Sequence, residues 1–324
     1  MTTMRAIQFA AYGPPSTLEL KDVEIPSLKA DEALVEVSAA AINPSDVRFV
    51  AGAFSPSLPR IPGRDFAGKV VKGSQRWLGK SVWGNGAGFG VTRDGAHAQF
   101  VAVPESWLSE MPQALAMEGA ATVGVPFVTA WSTLVAAGNV KAGETVLIVG
   151  ASGAVGRAAV QIAHWKGARV IGADIKQDVD TGADIFIDMK AKNLPTMVHA
   201  LTSNRGADLV LDAVGGAVFE DAVKSMGLGG RQIAITSVGS QRVQFNLTDF
   251  YHNKQRLIGV DTAKLTGSEI GAILNELRPG FEKASLTPPP VTVWPLDEAI
   301  KAYQAVASGD TSAKHVLYPG VISN

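Results

Sequence analysis

Thr145-Val-Leu-Ile-Val-Gly-Ala-Ser-Gly-Ala-Val-Gly-Arg157 decides the reading of this chain. Val146 to Val149 is an unbroken apolar run, as expected of a strand covered on both faces. Small residues follow, then a helical pattern that puts Val155, Ala159, Ile162 and Ala163 on one face and stops at Gly167. A strand, a tight turn and a helix in this order bring unpaired amides and the positive helix end to one point, where a pyrophosphate is held. The candidate contacts are Gly150, Ala151, Ser152, Gly153, Ala154, Val155 and Gly156, with Ala151 where the first of the three customary glycines would stand. The next run, Arg169 to Ala173, delivers Asp174, which lies 174 − 156 = 18 residues beyond the last glycine. An acid about 20 residues on is expected to bind the adenosine ribose hydroxyls. Together these signals predict dinucleotide binding.

Composition narrows the function classes. The 324 residues are 46% apolar and 18% charged with a formal net charge of −1, enough chain for about two domains and without the basic excess of a phosphate-tracking nucleic-acid binder. The expected partner is a small-molecule substrate. There is no cysteine, which excludes disulfides, thiolate nucleophiles and every Cys-based metal site. No run of ~18 apolar residues and no secretory apolar segment occurs, so the expectation is a soluble cytoplasmic protein with no membrane partner.

The pattern changes once along the chain. Residues 1–121 hold short β-type runs (Leu34 to Val37, Lys69 to Val71, Gln99 to Val103) broken by turns such as Gly13-Pro14-Pro15, which predicts a partly open β-barrel. Residues 122–261 alternate strand and helix. The strands are expected at Thr145 to Val149, Arg169 to Ala173, Ile185 to Ile187, Asp208 to Leu211, Gln232 to Thr236 and Leu257 to Val260. This predicts the α/β class, a Rossmann-type doubly wound parallel sheet. In residues 262–324 a helix (Ser268 to Leu277), a β run (Val291 to Trp294), a second helix (Leu296 to Ala307) and a last strand (His315 to Tyr318) are expected to rejoin the first domain.

Read in order, Ala41-Ile-Asn-Pro-Ser-Asp46, Ile61-Pro-Gly-Arg-Asp-Phe-Ala-Gly68, Asp94-Gly-Ala-His-Ala-Gln-Phe100, Thr129-Ala-Trp-Ser-Thr-Leu134, Gly150 to Gly156, Asp208-Leu-Val-Leu-Asp-Ala-Val-Gly-Gly216, Gly229-Gly-Arg231 and Ala313-Lys-His-Val-Leu317 resemble the medium-chain dehydrogenase/reductase superfamily. The similarity is to its zinc-independent quinone oxidoreductase branch, which includes the ζ-crystallin-like proteins. The resemblance implies a GroES-like N-terminal domain, a Rossmann domain, hydride transfer from NAD(P)H in the cleft between them, and a homodimer joined near Arg256 to Val260. It implies further cofactor contacts at Thr129, Ser237 and Gly239, for each of which an ordinary turn position is the competing reading; Val214 is a further candidate because Asp212 to Gly216 ends the fourth strand at the carboxyl edge, where such sheets bind ligands. It also places Asn43 beside the nicotinamide ribose or the substrate oxygen, with Asp46 fixing the same loop; a turn without chemistry is the alternative for Asn43-Pro44.

Three departures shape the expected chemistry. Zinc relatives use a cysteine near Asn43 to Asp46 and a Gly-His-Glu histidine; here the latter reads Gly63-Arg64-Asp65, and a guanidinium is no metal ligand. The five histidines are scattered and read as surface or locally hydrogen-bonded residues. No zinc is expected, so the acceptor is one that takes hydride with little electrophilic help, a quinone or conjugated carbonyl. A zinc-free alcohol or aldehyde reductase, or a cofactor-binding redox sensor or structural protein with little catalysis, stays open. Arg64 is a candidate catalytic residue, either orienting the acceptor oxygen or pairing with Asp65 or Asp46. Arg48 stands where many relatives have tyrosine and reads as an exposed arginine or a contact to an oxygen-rich acceptor.

On the cofactor side, seven residues separate Asp174 from Gly182, too few for the usual crossover helix. Asp174 favours the ribose hydroxyls of NADH over the phosphate of NADPH. Lys176 is the one nearby cation that opposes this preference. The run Gly84 to Gly90 reads as a mobile loop at the cleft, and Trp131 and Tyr251 as packing residues.

Overall fold

A computed structural model describes residues 3–175, 180–310 and 313–320. The chain separates into two compact units, one running to Val128 and resuming at Ala263, the other spanning Thr129–Thr262.

In the first unit the leading strands are β1 (Thr3–Gln8), β2 (Glu19–Glu24), β3 (Glu32–Ala41), β4 (Asp65–Lys72), β5 (Ser81–Gly84), β6 (Phe100–Pro104) and β7 (Ser109–Glu110). Helix α1 (Pro44–Val50) leaves the end of β3, and α2 (Met117–Ala121) and α3 (Gly124–Trp131) follow β7. The second unit holds β8 (Thr145–Val149), α4 (Ala154–Trp165), β9 (Arg169–Asp174), β10 (Ile185–Asp188), α5 (Leu194–Leu201), β11 (Ala207–Asp212), α6 (Phe219–Lys224), β12 (Met226–Ala234), α7 (Leu247–His252) and β13 (Arg256–Gly259). The chain then returns to the first unit with α8 (Gly267–Glu282), β14 (Val291–Pro295), α9 (Ala299–Ala307) and β15 (Lys314–Tyr318).

The second unit is built on a six-stranded sheet in the order β10-β9-β8-β11-β12-β13, parallel throughout. This is the doubly wound order, with the switch point between β8 and β11. All five residues of β8 are buried because helices cover both faces, which is why its sequence is apolar at every position. Leu147, Val149, Ile171, Ala173, Val210 and Val223 are central to its core. Arg231 ties the sheet's far end together: its guanidinium donates to both Glu144 oxygens at 2.9 and 2.7 Å, to Asp208 O at 2.9 Å and to Gly138 O.

The first unit is the GroES-like part, a seven-stranded sheet in the order β14-β15-β3-β4-β5-β7 with β6 also on β3. Two irregularities in the β3–β4 ladder fall along the ten-residue β3, and such shifts bend a strand. β3 thereby pairs with β4, β6 and β15 along its length. Its core joins Val35, Val37, Phe66, Val82 and Phe89 on one side, and Phe9, Ile42, Val50, Tyr303 and Leu317 on another.

The structure moves several expected boundaries. β12 begins six residues before Gln232, because Met226-Gly-Leu-Gly-Gly230 forms strand without apolar alternation, and it ends at Ala234 rather than Thr236. The helix expected to end at Leu277 continues to Glu282 through Pro279, after a capping box in which Glu269 N donates to Thr266 Oγ1 at 3.3 Å and Thr266 N to Glu269 Oε2 at 2.7 Å. Between β9 and β10, no helix occurs among the described residues. Tyr251 is not a packing residue; it is exposed beside His252. Of the two roles expected for the histidines, His97 and His315 take the hydrogen-bonded one, both in the interior. No helix is long and apolar enough to cross a membrane among the described residues.

Candidate functional site

The glycine turn of the second unit has the shape that phosphate binding needs. Gly150 leaves β8 with φ +85°, a left-handed conformation that side chains disfavour, and Gly150 N and Ala151 N donate back to Ala173 O at 2.8 and 3.2 Å. A Cβ on Gly156 would run into Gly150 O and come within 2.7 Å of Ala151 Cα, so only glycine lets α4 start this close to the turn. At Gly153 an added Cβ would meet only Gly150 O, at 3.4 Å, so that position faces open space. Gly153 is the N-cap, without a side-chain cap or an acid in the first turn, and the first intrahelical bond runs from Arg157 N to Gly153 O. The amides of Ala154, Val155 and Gly156 are thus left for a ligand. Ser152 Oγ is buried without a hydrogen-bond partner in the same turn.

Asp174, at the carboxyl end of β9, is held by this turn. Its Oδ2 accepts from Ser152 N at 3.0 Å and its Oδ1 from Ile175 N at 2.7 Å. Val214 lies close enough for its Cγ2 to meet a Cβ on Gly150 at 3.1 Å. The loop carrying Val214 is held by Asp212, which accepts from Val214 N at 3.0 Å and Gly215 N at 2.7 Å. Burial raises the Asp212 carboxyl, and these two amides oppose it. Thr129 is buried, its Oγ1 3.3 Å from Thr262 Oγ1. Ser237 and Gly239 share an exposed turn, Ser237 Oγ donating to Ser240 O. Lys176 lies outside the described residues. These groups fit a nicotinamide dinucleotide: open amides and an orphaned hydroxyl as donors for phosphate, and a carboxylate anchored beside them as an acceptor. Trp131 packs on Trp165, ring centroids 6.0 Å apart, with Lys166 above both rings.

In the first unit, Asn43 ends the turn after β3 and Pro44 opens α1, the first helical position that suits proline. Asp46 accepts from Asn43 N at 2.7 Å and so fixes the turn. The Asn43 amide is held at both ends: Nδ2 donates to Asp65 Oδ2 at 3.0 Å, and Oδ1 accepts from Lys314 Nζ. Asp65 also accepts from Asn85 Nδ2 and from Val125 N at 3.0 Å. Asn43, Asp46, Asp65, Asn85 and Lys314 are all buried. Burial raises both carboxyls, against the pull of Arg64 on Asp46 and of Lys314 on Asp65. The same burial lowers Lys314, against the two carboxylates. Lys314 and Asn85 escaped the sequence reading. Asn85 lay within a run read as loop, and Lys314, though inside the Ala313 to Leu317 motif, is 271 residues from its partner, so nothing local joins it to Asn43.

Arg64 has no direct side-chain bond to Asp65 or Asp46, although its charge acts on Asp46. Its Nη1 donates to Ser45 Oγ at 3.4 Å, and its guanidinium lies 5.5 Å from the Phe49 ring centre. It lines a cavity of about 440 Å³ within this unit. Arg48 is exposed on α1. His97 is interior and already engaged, with Nε2 3.3 Å from Ala41 O and Nδ1 2.8 Å from Tyr303 Oη. Burial pushes it down to about 4. The donor set here does not fit zinc: asparagine, guanidinium and an engaged imidazole replace thiolate and free histidine. No group of three or more His, Cys, Asp or Glu able to hold a metal occurs among the described residues.

Residues 154–276 match the zinc-binding dehydrogenase family and residues 29–113 the alcohol dehydrogenase GroES-like domain. The chain is 35% identical over 286 residues to the zinc-type alcohol dehydrogenase-like protein C337.11 of Schizosaccharomyces pombe, covering 86% of this chain and 85% of that protein. It is 27% identical to the quinone oxidoreductase of Homo sapiens, with 94% of each chain covered. Among solved structures, an NAD-dependent alcohol dehydrogenase superposes with a TM-score of 0.88 at 28% identity, covering 98% of this chain and all of that one. The mycobacterial quinone oxidoreductase superposes equally well, at 25% identity and the same coverage. The chain therefore belongs to the medium-chain dehydrogenase/reductase superfamily. Within that superfamily it is a quinone oxidoreductase-like protein, an oxidoreductase whose fold implies a nicotinamide cofactor.

Proposed function

We propose that this protein is a zinc-independent, NAD(P)H-dependent reductase of quinones or conjugated carbonyls. The observation that carries the reading is the residue set around Asn43 and Arg64: a buried amide and a guanidinium stand where a metal-using relative needs ligands, so the acceptor must itself be electrophilic. When bound, the dihydronicotinamide supplies a hydride, two electrons with one hydrogen nucleus, and the reduced acceptor takes its balancing proton from water. The residues of the chain bind and orient. Amides of Ala154 to Gly156 and the Ser152 hydroxyl hold the pyrophosphate, and Asp174 accepts from the ribose hydroxyls. Lys314 and Asp65 lock the Asn43 amide in one orientation.

NADH is favoured over NADPH, since the Asp174 carboxylate accepts from a diol and repels a phosphate. A homodimer is also part of the proposal: β13 is an outer strand of the second unit's sheet, its outer edge open to a second copy. The test is oxidation of NADH and NADPH across quinones, conjugated enones and aldehydes, with and without a chelator. Quinone or enone turnover insensitive to chelation supports the reading. Turnover confined to aldehydes would instead favour an alcohol or aldehyde reductase, a reading that the alcohol dehydrogenase-like relative also supports.

A further inference from the structure

The cavity beside Arg64 has an unusual wall for a site reading only a neutral ring. Four aromatic side chains line it, Phe49, Phe54, Phe89 and Trp107, together with two cations, Arg64 and Lys264, and no carboxylate among the described residues. The nearest carboxylates on the packed elements, Asp46 and Asp65, lie in the interior cluster rather than on the cavity wall: Asp65 is bonded to Asn43, and Asp46, bonded to the Asn43 amide, feels the Arg64 charge without accepting a hydrogen bond from it. At the rim, Glu269 is turned to Thr266 as its capping partner.

Arg64 is 8% exposed, yet its five N–H groups have one long contact, 3.4 Å to Ser45 Oγ, and none of its nitrogens is a buried atom lacking a partner. The remaining donors therefore open on the cavity. Donors that open on a cavity and are not committed to protein acceptors are available to an oxyanion that enters it. The aromatic walls are held in place beforehand. Arg93 lies 4.9 Å from the centres of both the Phe89 and Trp107 rings, and is itself tied to Glu32 Oε1 at 2.9 Å and Ala102 O at 2.7 Å. The backbone of Gly267 admits the Trp107 ring where a Cβ would collide. Phe54 closes the other side, edge-on to Phe49 at 5.3 Å, from a left-handed backbone with φ +64°.

We infer that this cavity selects an anionic acceptor: a planar conjugated carbonyl carrying a carboxylate- or sulfonate-type group, its ring among the aromatic side chains and its anion on Arg64, with Lys264 at the mouth. This rests on the reading of the protein as an NAD(P)H-dependent reductase, and deepens it by naming the acceptor's charge. Planar rings suit aromatic walls, and an oxyanion suits the guanidinium fork better than a single-point ammonium.

The test compares naphthoquinone with naphthoquinone sulfonate as acceptors. The quantity read is the ratio of their kcat/KM values in wild type and in Arg64→Met, so that intrinsic differences in reduction potential cancel. The ratio in favour of the sulfonate should fall on the order of ten- to a hundredfold, as loss of a charged hydrogen bond predicts. Arg64→Lys should retain part of it, and Lys264→Met, at an exposed position, should lower it about two- to fivefold. An unchanged ratio in all three variants overturns the inference while leaving the reductase reading intact. Should neither quinone nor any conjugated enone be turned over, the reductase reading fails. Tryptophan quenching then decides the anion site: sulfonate binding at least tenfold tighter than that of the neutral quinone, lost in Arg64→Met and weakened about two- to fivefold in Lys264→Met, supports it, and equal binding of the two in wild type overturns it. If Arg64→Met does not fold, the Lys264→Met result and the salt dependence of wild-type sulfonate binding settle the same point.

Discussion

Gly156→Ala tests the geometry on which cofactor binding rests. The new methyl would collide with Gly150 O and lie 2.7 Å from Ala151 Cα and 2.9 Å from Ala151 C, all backbone atoms. No rotamer change relieves that overlap, so the start of α4 must move off the turn. Overpacking of this kind costs about 1–3 kcal/mol, and alanine's better helix propensity returns roughly 0.5–1 kcal/mol. The net loss of about 1–2 kcal/mol corresponds to a fall in Tm of roughly 3–7 °C. The cofactor loses more, because the amides of Ala154 to Gly156 shift together; Kd for NADH should rise by about two orders of magnitude, if two charge-assisted bonds of about 1.5 kcal/mol are lost. Gly153→Ala is the control. Its φ of −72° suits any residue and its methyl meets only one atom, at 3.4 Å, so Tm should stay within about 1 °C. Its methyl would occupy the open space proposed for the pyrophosphate, so the Kd for NADH should rise. Thermal denaturation and nucleotide fluorescence titration read both quantities. A Gly156→Ala protein with unchanged Tm and Kd would refute the close-approach argument.

Three further outcomes follow from the same structure. Asp174→Ala should weaken NADH about tenfold and erase the preference over NADPH, by loss of an acceptor worth about 1.5 kcal/mol or more; Kd values for both nucleotides check this, and a preference for NADPH already in wild type would defeat it. His97, held neutral by burial with its value lowered from 6.5 to about 4, binds fewer protons folded than unfolded in that window. Its contribution is therefore present above pH 6.5 and lost as pH falls toward 4, a difference of about 3 kcal/mol that should disappear from the pH dependence of urea unfolding in His97→Gln. Lys314→Met strips buried Asp65 of its cation, leaving Arg64 to act on Asp46, and should destabilise by about 3–5 kcal/mol, with part recovered in Asp65→Asn/Lys314→Met. Urea midpoints decide it, and a single-variant cost below about 1 kcal/mol would show that the cluster needs no internal cation.

The second unit was legible because its information is local. Val146 to Val149 and Val170 to Ala173 are apolar at every position since both faces are covered, and Gly156 stands where a helix must touch a turn. β12 was less legible because Gly227, Gly229 and Gly230 carry no alternation, although the backbone there is strand. The cluster around Asn43 was half legible. Asn43, Asp46 and Arg64 fall within short motifs, but what each side chain touches is set by pairing between strands distant in sequence. Asp65 read as the flank of a motif and is the group on which two asparagines and an amide converge.

The bond from Lys314 to Asn43 also sets an order of assembly during synthesis. The lysine leaves the ribosome 271 residues after the asparagine. The contiguous Thr129–Thr262 unit is wholly synthesised before then and is free to fold first, as domains do on a growing chain. Throughout that interval Asp65 and Asn43 lack Lys314, so the buried cluster of the first unit is completed only when β15 pairs with β3.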